Sequence, residues 1–125
     1  MGLSAARYHG AVPRAYAKAW IVTNVSRRAI DGGPFGQITF VMRDMDTLDL
    51  VRARTSLATG WVTSIEQTTL DLMRRPVWAG GQRPAAEAVT RLLPRCDDEL
   101  LDDLAATQRG RAALARTRAE FAELT

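Results

Sequence analysis

Few side chains in this sequence have the types and spacing that bond-making chemistry needs. His9 is the single histidine, and acid–base work would require a partner such as a nucleophilic serine or cysteine within hydrogen-bonding reach. A structural or surface role is the expectation for it, with Gly10 closing a short helix. Cys96 is the single cysteine and is followed by Asp97 and Asp98. It cannot form an internal disulfide, and with one histidine it leaves no soft-metal cluster. Acidic neighbours disfavour the thiolate, so an inert thiol is expected. The pairs Gly32-Gly33 and Gly80-Gly81 lack the spacing and the lysine of a phosphate-binding loop. The residues therefore point to a protein that is not an enzyme and that needs no metal and no cofactor.

Two groups suit binding or architecture better. Thr68 and Asp71 stand one turn apart on a predicted helix and can touch. The first expectation is a buried, satisfied polar network in which Asp71 accepts from a backbone amide or an arginine; a binding role, or plain exposure of Asp71, are the alternatives. Arg27 and Arg28 beside a glycine-rich turn, with Arg52 and Arg54 on alternate strand positions, could form a basic surface for nucleic-acid phosphates. Readers of nucleic acid usually add a motif or an aromatic platform, whereas Trp20, Trp61 and Trp78 read as core and lid residues. A solvated strand face is the plainer expectation. The acidic run from Asp98 to Asp103 reads as a solvating helix face neighbouring Arg109 and Arg111.

The elements that must position these residues run from strands to helices. Ser4 to His9 predicts a short capped helix before Pro13. Ala19–Val25 is rich in β-branched and aromatic residues and reads as a strand, followed by turn chemistry at 27–36. Gln37–Arg43 alternates as a second strand and could pair as a hairpin with a third near Leu48–Thr55. In the third strand Leu48 and Leu50 share a face with Arg52 and Arg54, so either the strand leaves the core halfway or a bulge changes its facing. Trp61–Thr63 predicts one more short strand. Ser64 then caps a helix, with Gln67 completing a capping box and Ile65, Thr68, Leu72 and Met73 on its buried side. Pro76 and Gly80-Gly81 end it. Pro84 opens a helix burying Ala85, Val89, Leu92 and Leu93, and Asp97 caps the next, with Leu100, Leu101 and Leu104 inward. Gly110 precedes a last helix lined by Leu114, Thr117, Phe121 and Leu124. The predicted class is α+β: a small, mostly antiparallel sheet at about 19–63 packed with a C-terminal helical bundle at about 64–124. Residues 1–125 are treated as one domain.

The phrase Thr63-Ser64-Ile65-Glu66-Gln67-Thr68-Thr69-Leu70-Asp71-Leu72 resembles the strand-to-helix entry of the AbiEi family of bacterial antitoxins, with Gln67 where that family usually carries arginine. Leu3–Ala15, LSAARYHGAVPRA, is similar to the same family's entry into its C-terminal domain. The resemblance singles out His9, Gly10, Glu66, Thr68 and Asp71. It implies an antitoxin-like component of a type IV toxin–antitoxin, or abortive-infection, system, whose functional partner is a nucleotidyltransferase-like toxin opposed without a direct complex being assured. Family members usually begin with a winged-helix, promoter-binding domain, and the matched segments fall after it. A C-terminal domain lacking the winged helix is expected, with weak grounds for DNA binding. The alternatives are a small nucleic-acid-binding or regulator module, or an inactive truncated remnant.

Composition bounds these readings. The chain has 125 residues, 46% hydrophobic and 25% charged, as in an ordinary globular domain. No apolar run is long enough to span a bilayer and no secretory signal opens the sequence, so no membrane role and a cytoplasmic location are expected. The net charge is +3, yet residues 1–60 hold eight basic and four acidic side chains while 97–108 hold five acidic and none basic. Lys18 is the only lysine; the arginine bias suits planar pairing to phosphate or carboxylate, or equally reflects genome composition.

Overall fold

A computed structural model describes residues 1–10, 18–23, 30–31, 37–54 and 59–124. The class is α+β: a short N-terminal helix precedes the strands, and the other α-helices follow them in the C-terminal half. Strands β1 (Lys18–Thr23), β2 (Ile30–Asp31) and β3 (Gln37–Met42) form one sheet in the order β1-β3-β2, and β4 (Leu50–Arg54) pairs with β5 (Thr59–Thr63) in a second. β1 lies parallel to β3, with Lys18 opposite Gln37 and Thr23 opposite Met42. The β2–β3 and β4–β5 pairs are antiparallel.

The predicted hairpin between the second and third strands does not form. β3 takes β1 as partner and β4 takes β5. The link between β3 and β4 has no glycine to supply the positive φ that tight hairpin turns use. It coils instead into a short 3-10 turn at Met45–Thr47, where the Thr47 amide and hydroxyl both donate to the Asp44 carbonyl at 3.2 and 2.8 Å. Beyond the turn, the Asp49 carbonyl accepts from the Ser64 amide at 3.0 Å, which commits β4 to the strand leading into the next helix. β4 and β5 pair without interruption from Leu50 opposite Thr63 to Arg54 opposite Thr59. No bulge re-aims β4: Leu50 is half-buried, Val51 and Arg52 are exposed, and the strand runs out from the core.

Helix α1 (Gly2–Tyr8) starts before Ser4. Ser4 is therefore no cap; its hydroxyl donates to the Met1 carbonyl at 2.7 Å. Gly2 sits at φ +57°, and a Cβ there would lie 2.6 Å from the Trp78 carbonyl oxygen, so only glycine lets α1 enter at this point.

Helix α2 (Ile65–Arg74) is the centre of the molecule. Ser64 accepts from the Gln67 amide at 3.1 Å as its cap. Seven consecutive residues, Gln67 to Met73, are buried. An amphipathic helix shows one side to the core; α2 touches α1, the three later helices and β5, so every side is covered. Arg75 and Pro76–Ala79 form a 3-10 turn closed by left-handed Gly80. Helix α3 (Gln82–Leu92) carries Pro84 in its first turn and buries Ala85, Ala88, Val89 and Leu92. Helix α4 (Asp98–Thr107) is capped by Asp97, whose carboxylate accepts from the Leu100 amide at 3.0 Å. It buries Leu101, Leu104 and Ala105.

Between α4 and helix α5 (Arg111–Leu124), Gly110 presses on α2: a Cβ would stand 2.7 Å from Leu70 Cδ1. The core gathers Leu70, Leu72, Leu92, Leu101 and Leu114. Among the described residues no helix is long and apolar enough to cross a membrane.

Candidate functional site

Asp71 lies at the middle of a polar cluster inside the helical half. Arg43, directly after β3, donates from its two terminal nitrogens to the two Asp71 oxygens at 2.7 and 2.8 Å. Asp71 is 0% exposed and the Arg43 side chain 12%. A bidentate pair of this kind fixes orientation as well as charge, and here it ties β3 to α2. The guanidinium carbon of Arg43 also lies 4.9 Å from the centre of the Trp78 ring, a cation–π contact. Trp78 is thus half-buried against the cluster, with Arg75 at 5.6 Å.

Gln67 continues the cluster. Its Nε2 donates to Asp71 Oδ1 at 2.9 Å and to Gln108 Oε1 at 2.8 Å. Its Oε1 accepts from the Asp49 amide at 3.0 Å and from Gln108 Nε2 at 2.8 Å. Gln108 Nε2 reaches the Thr47 carbonyl at 2.9 Å. All four hydrogen-bonding positions of the Gln67 amide are used. The capping box is accordingly only half made, because the Ser64 amide goes to Asp49 and the Gln67 side chain turns inward. Among the described residues no buried side-chain nitrogen or oxygen lacks a partner. Burial beside this cluster pushes the Met1 amine down to about 6, with Asp71 opposing the shift.

Thr68 does not bond to Asp71; it joins a second group. The Thr68 and Thr63 hydroxyls are 2.8 Å apart, and the Thr68 hydroxyl lies 3.2 Å from the Thr63 carbonyl. That carbonyl also takes His9 Nε2 at 2.8 Å. A carbonyl has no proton to give, so His9 is the donor. The His9 carbonyl in turn accepts from Arg95 at 2.6 Å. Gly10 follows at φ +78°. Glu66 accepts from the Asp97 amide at 2.9 Å, fastening α2 to the start of α4. Each of His9, Glu66, Thr68 and Asp71 thus holds one element to another, and Asp71 offers no oxygen to solvent.

The basic residues divide differently. Arg27 and Arg28 lie outside the described residues. Arg52 is exposed, faces Trp61 across the β4–β5 ribbon and has its guanidinium carbon 5.7 Å from that ring. Arg54 stands two positions on, opposite Thr59. Trp61 is 65% exposed, which corrects its assignment to core or lid. Among the described residues the ribbon is anchored at its root, where Thr63 is buried and Leu50 half-buried. Trp20 occupies β1. The acidic face of α4 meets Arg118, which bonds Asp102 at 2.6 Å and approaches Asp98 at 3.5 Å. Of the expected neighbours, Arg111 lines the same surface depression as Asp102 and Asp103, and the α4–α5 packing adds Arg118 as the partner that makes the ion pairs.

Cys96 is half-buried, with its sulfur 3.3 Å from the Thr69 hydroxyl. Burial pushes its thiol up to about 11; the Thr69 contact opposes this, and the nearby Glu66 and Asp98 carboxylates add to it. Burial therefore outweighs the acidic neighbours as the cause of inertness. Because the thiolate is the reacting species, alkylation of native protein by iodoacetamide at about pH 8 should run roughly tenfold or more slower than that of glutathione. In urea the two rates should converge, and equal rates in the native state would refute the burial argument.

A groove of about 450 Å³ is lined by α2, α3 and α5, including Met73, Val89 and Phe121; none of His9, Glu66, Thr68 or Asp71 reaches it. Among the described residues no three His, Cys, Asp or Glu side chains are grouped to hold a metal ion. Comparison of the chain with protein-family models, with curated proteins and with solved structures gives no match.

Proposed function

We propose that this chain serves as the antitoxin-like component of a bacterial type IV toxin–antitoxin system, acting in the cytoplasm without a catalytic step of its own to counteract a nucleotidyltransferase-like toxin. The observation that carries the reading is the bond from His9 to the Thr63 carbonyl at 2.8 Å. It joins the two phrases on which the resemblance to AbiEi antitoxins rests, although 54 residues separate the bonded pair. The residues shared with that family are spent on holding the helices and strands together, as suits a protein that works through its shape and surface.

In cells whose growth is arrested by a nucleotidyltransferase-like toxin of the type IV class, co-expression of this chain should restore growth relative to an empty vector. Failure of rescue by protein shown to be folded would overturn the proposal. Because type IV protection does not require a stable complex, co-purification with the toxin is not needed for the result.

A further inference from the structure

We propose that the β4–β5 ribbon binds single-stranded nucleic acid, with a base stacked on Trp61 and Arg52 at the adjoining phosphate. The proposal does not depend on the antitoxin reading. Arg52 and Trp61 are directly opposed in an antiparallel register, and both are exposed. A tryptophan 65% open to water forgoes most of the hydrophobic gain from burying an indole. The guanidinium lies over the ring, 5.7 Å from its centre, so Arg52 covers one face of the indole and sets a positive charge beside the face left for a base. Stacking surface and cation, side by side on a narrow extended support, are the two components by which proteins hold unpaired strands.

Charge argues for a polyanion as the occupant. The two strands carry Arg52 and, at the next alternate position, Arg54, and no acidic residue occurs in 50–54 or 59–63. An unpaired strand fits better than a duplex, because the bases of a duplex are already stacked on one another and present no free face to an indole. The opposite face of the ribbon pairs Val51 with Val62, so the polar contacts are confined to one side.

The test uses the full chain with fluorescein-labelled oligomers of about 12 nucleotides, oligo-dT in one arm and oligo-rU in the other. Anisotropy would be followed at about 50 and 200 mM salt. Binding of either oligomer, weakening steeply with salt, is the expected result, and the tighter arm identifies DNA or RNA as the source. Trp61→Ala should weaken binding by ~5- to 150-fold, the worth of one stacked base, while Trp61→Phe should retain most of it. Arg52→Ala should lower the log–log salt slope by ~0.7. Both side chains are exposed, so the variants should keep the native circular dichroism spectrum. No binding of either oligomer at the lower salt, or unchanged binding by Trp61→Ala, would overturn the proposal. So would sedimentation showing that Trp61 is buried between two copies of the chain.

Discussion

Asp71→Ala is expected to destabilise the domain by ~3–5 kcal/mol, because it leaves the Arg43 guanidinium buried without its counter-charge. The pair is bidentate, at 2.7 and 2.8 Å, and the carboxylate has no contact with water. Removal would also strip Gln67 Nε2 of one of its two acceptors. Asp98→Ala is the matched control, since its partner Arg118 is 3.5 Å away and the Asp98 side chain is 83% exposed. A surface pair of that kind is worth ~0–1 kcal/mol. Urea titrations of both variants decide the matter: equal, small losses would mean that Arg43 reaches solvent when Asp71 is gone. Replacing both partners, as in Arg43→Met with Asp71→Leu, should be less damaging than Asp71→Ala alone, because no uncompensated charge remains.

The second large effect is expected at Leu92. This residue closes α3 and is 0% exposed, within the cluster that also holds Leu70, Leu72 and Leu101. Truncation to alanine should cost ~2–5 kcal/mol through lost transfer energy and the cavity left behind. Against the ~5–15 kcal/mol that holds a typical domain together, this is a large share. Leu92→Met keeps the volume and should cost less than ~1.5 kcal/mol. A loss below about 1 kcal/mol for Leu92→Ala, measured in urea at constant slope, would place the end of α3 at the surface.

Local signals carried most of the helical half. Ser64 and Asp97 are caps by their own chemistry, and the spacing of Ala85, Val89 and Leu92 marks the buried side of α3 before any tertiary contact is known. The order of strands then helices, and so the α+β class, was legible for the same reason. Pairing was not: β1 beside β3 is a choice between distant segments, and nothing in residues 37–43 names the partner.

Gln67 shows how a polar residue is misread. At the third position of a capped helix it invites a capping-box role, yet the Ser64 amide is already taken by Asp49. A usable signal existed, since Gln67 to Met73 contains a single charged residue and no residue that must reach water. Arg43 was hidden as the last letter of a strand, and its pairing with Asp71 spans 28 positions. Trp61 was placed inside on residue type alone, although residue type does not say whether a strand of a two-stranded ribbon is covered on that face, and here the indole stays largely exposed.

The enclosure of α2 on every side bears on whether the chain can be divided. A helix of 10 residues is marginal in water by itself, and this one draws its burial from α1 and β5 on one side of it in sequence and from α3, α4 and α5 on the other. Fragments separated anywhere near it would each keep a face of the core with nothing to set against it. The helices gathered round α2 are thus expected to unfold together, and split-protein or domain-insertion designs should leave residues 63–82 uncut and avoid the turn around Gln108–Gly110, because that turn is itself seated on Leu70 and Gln67.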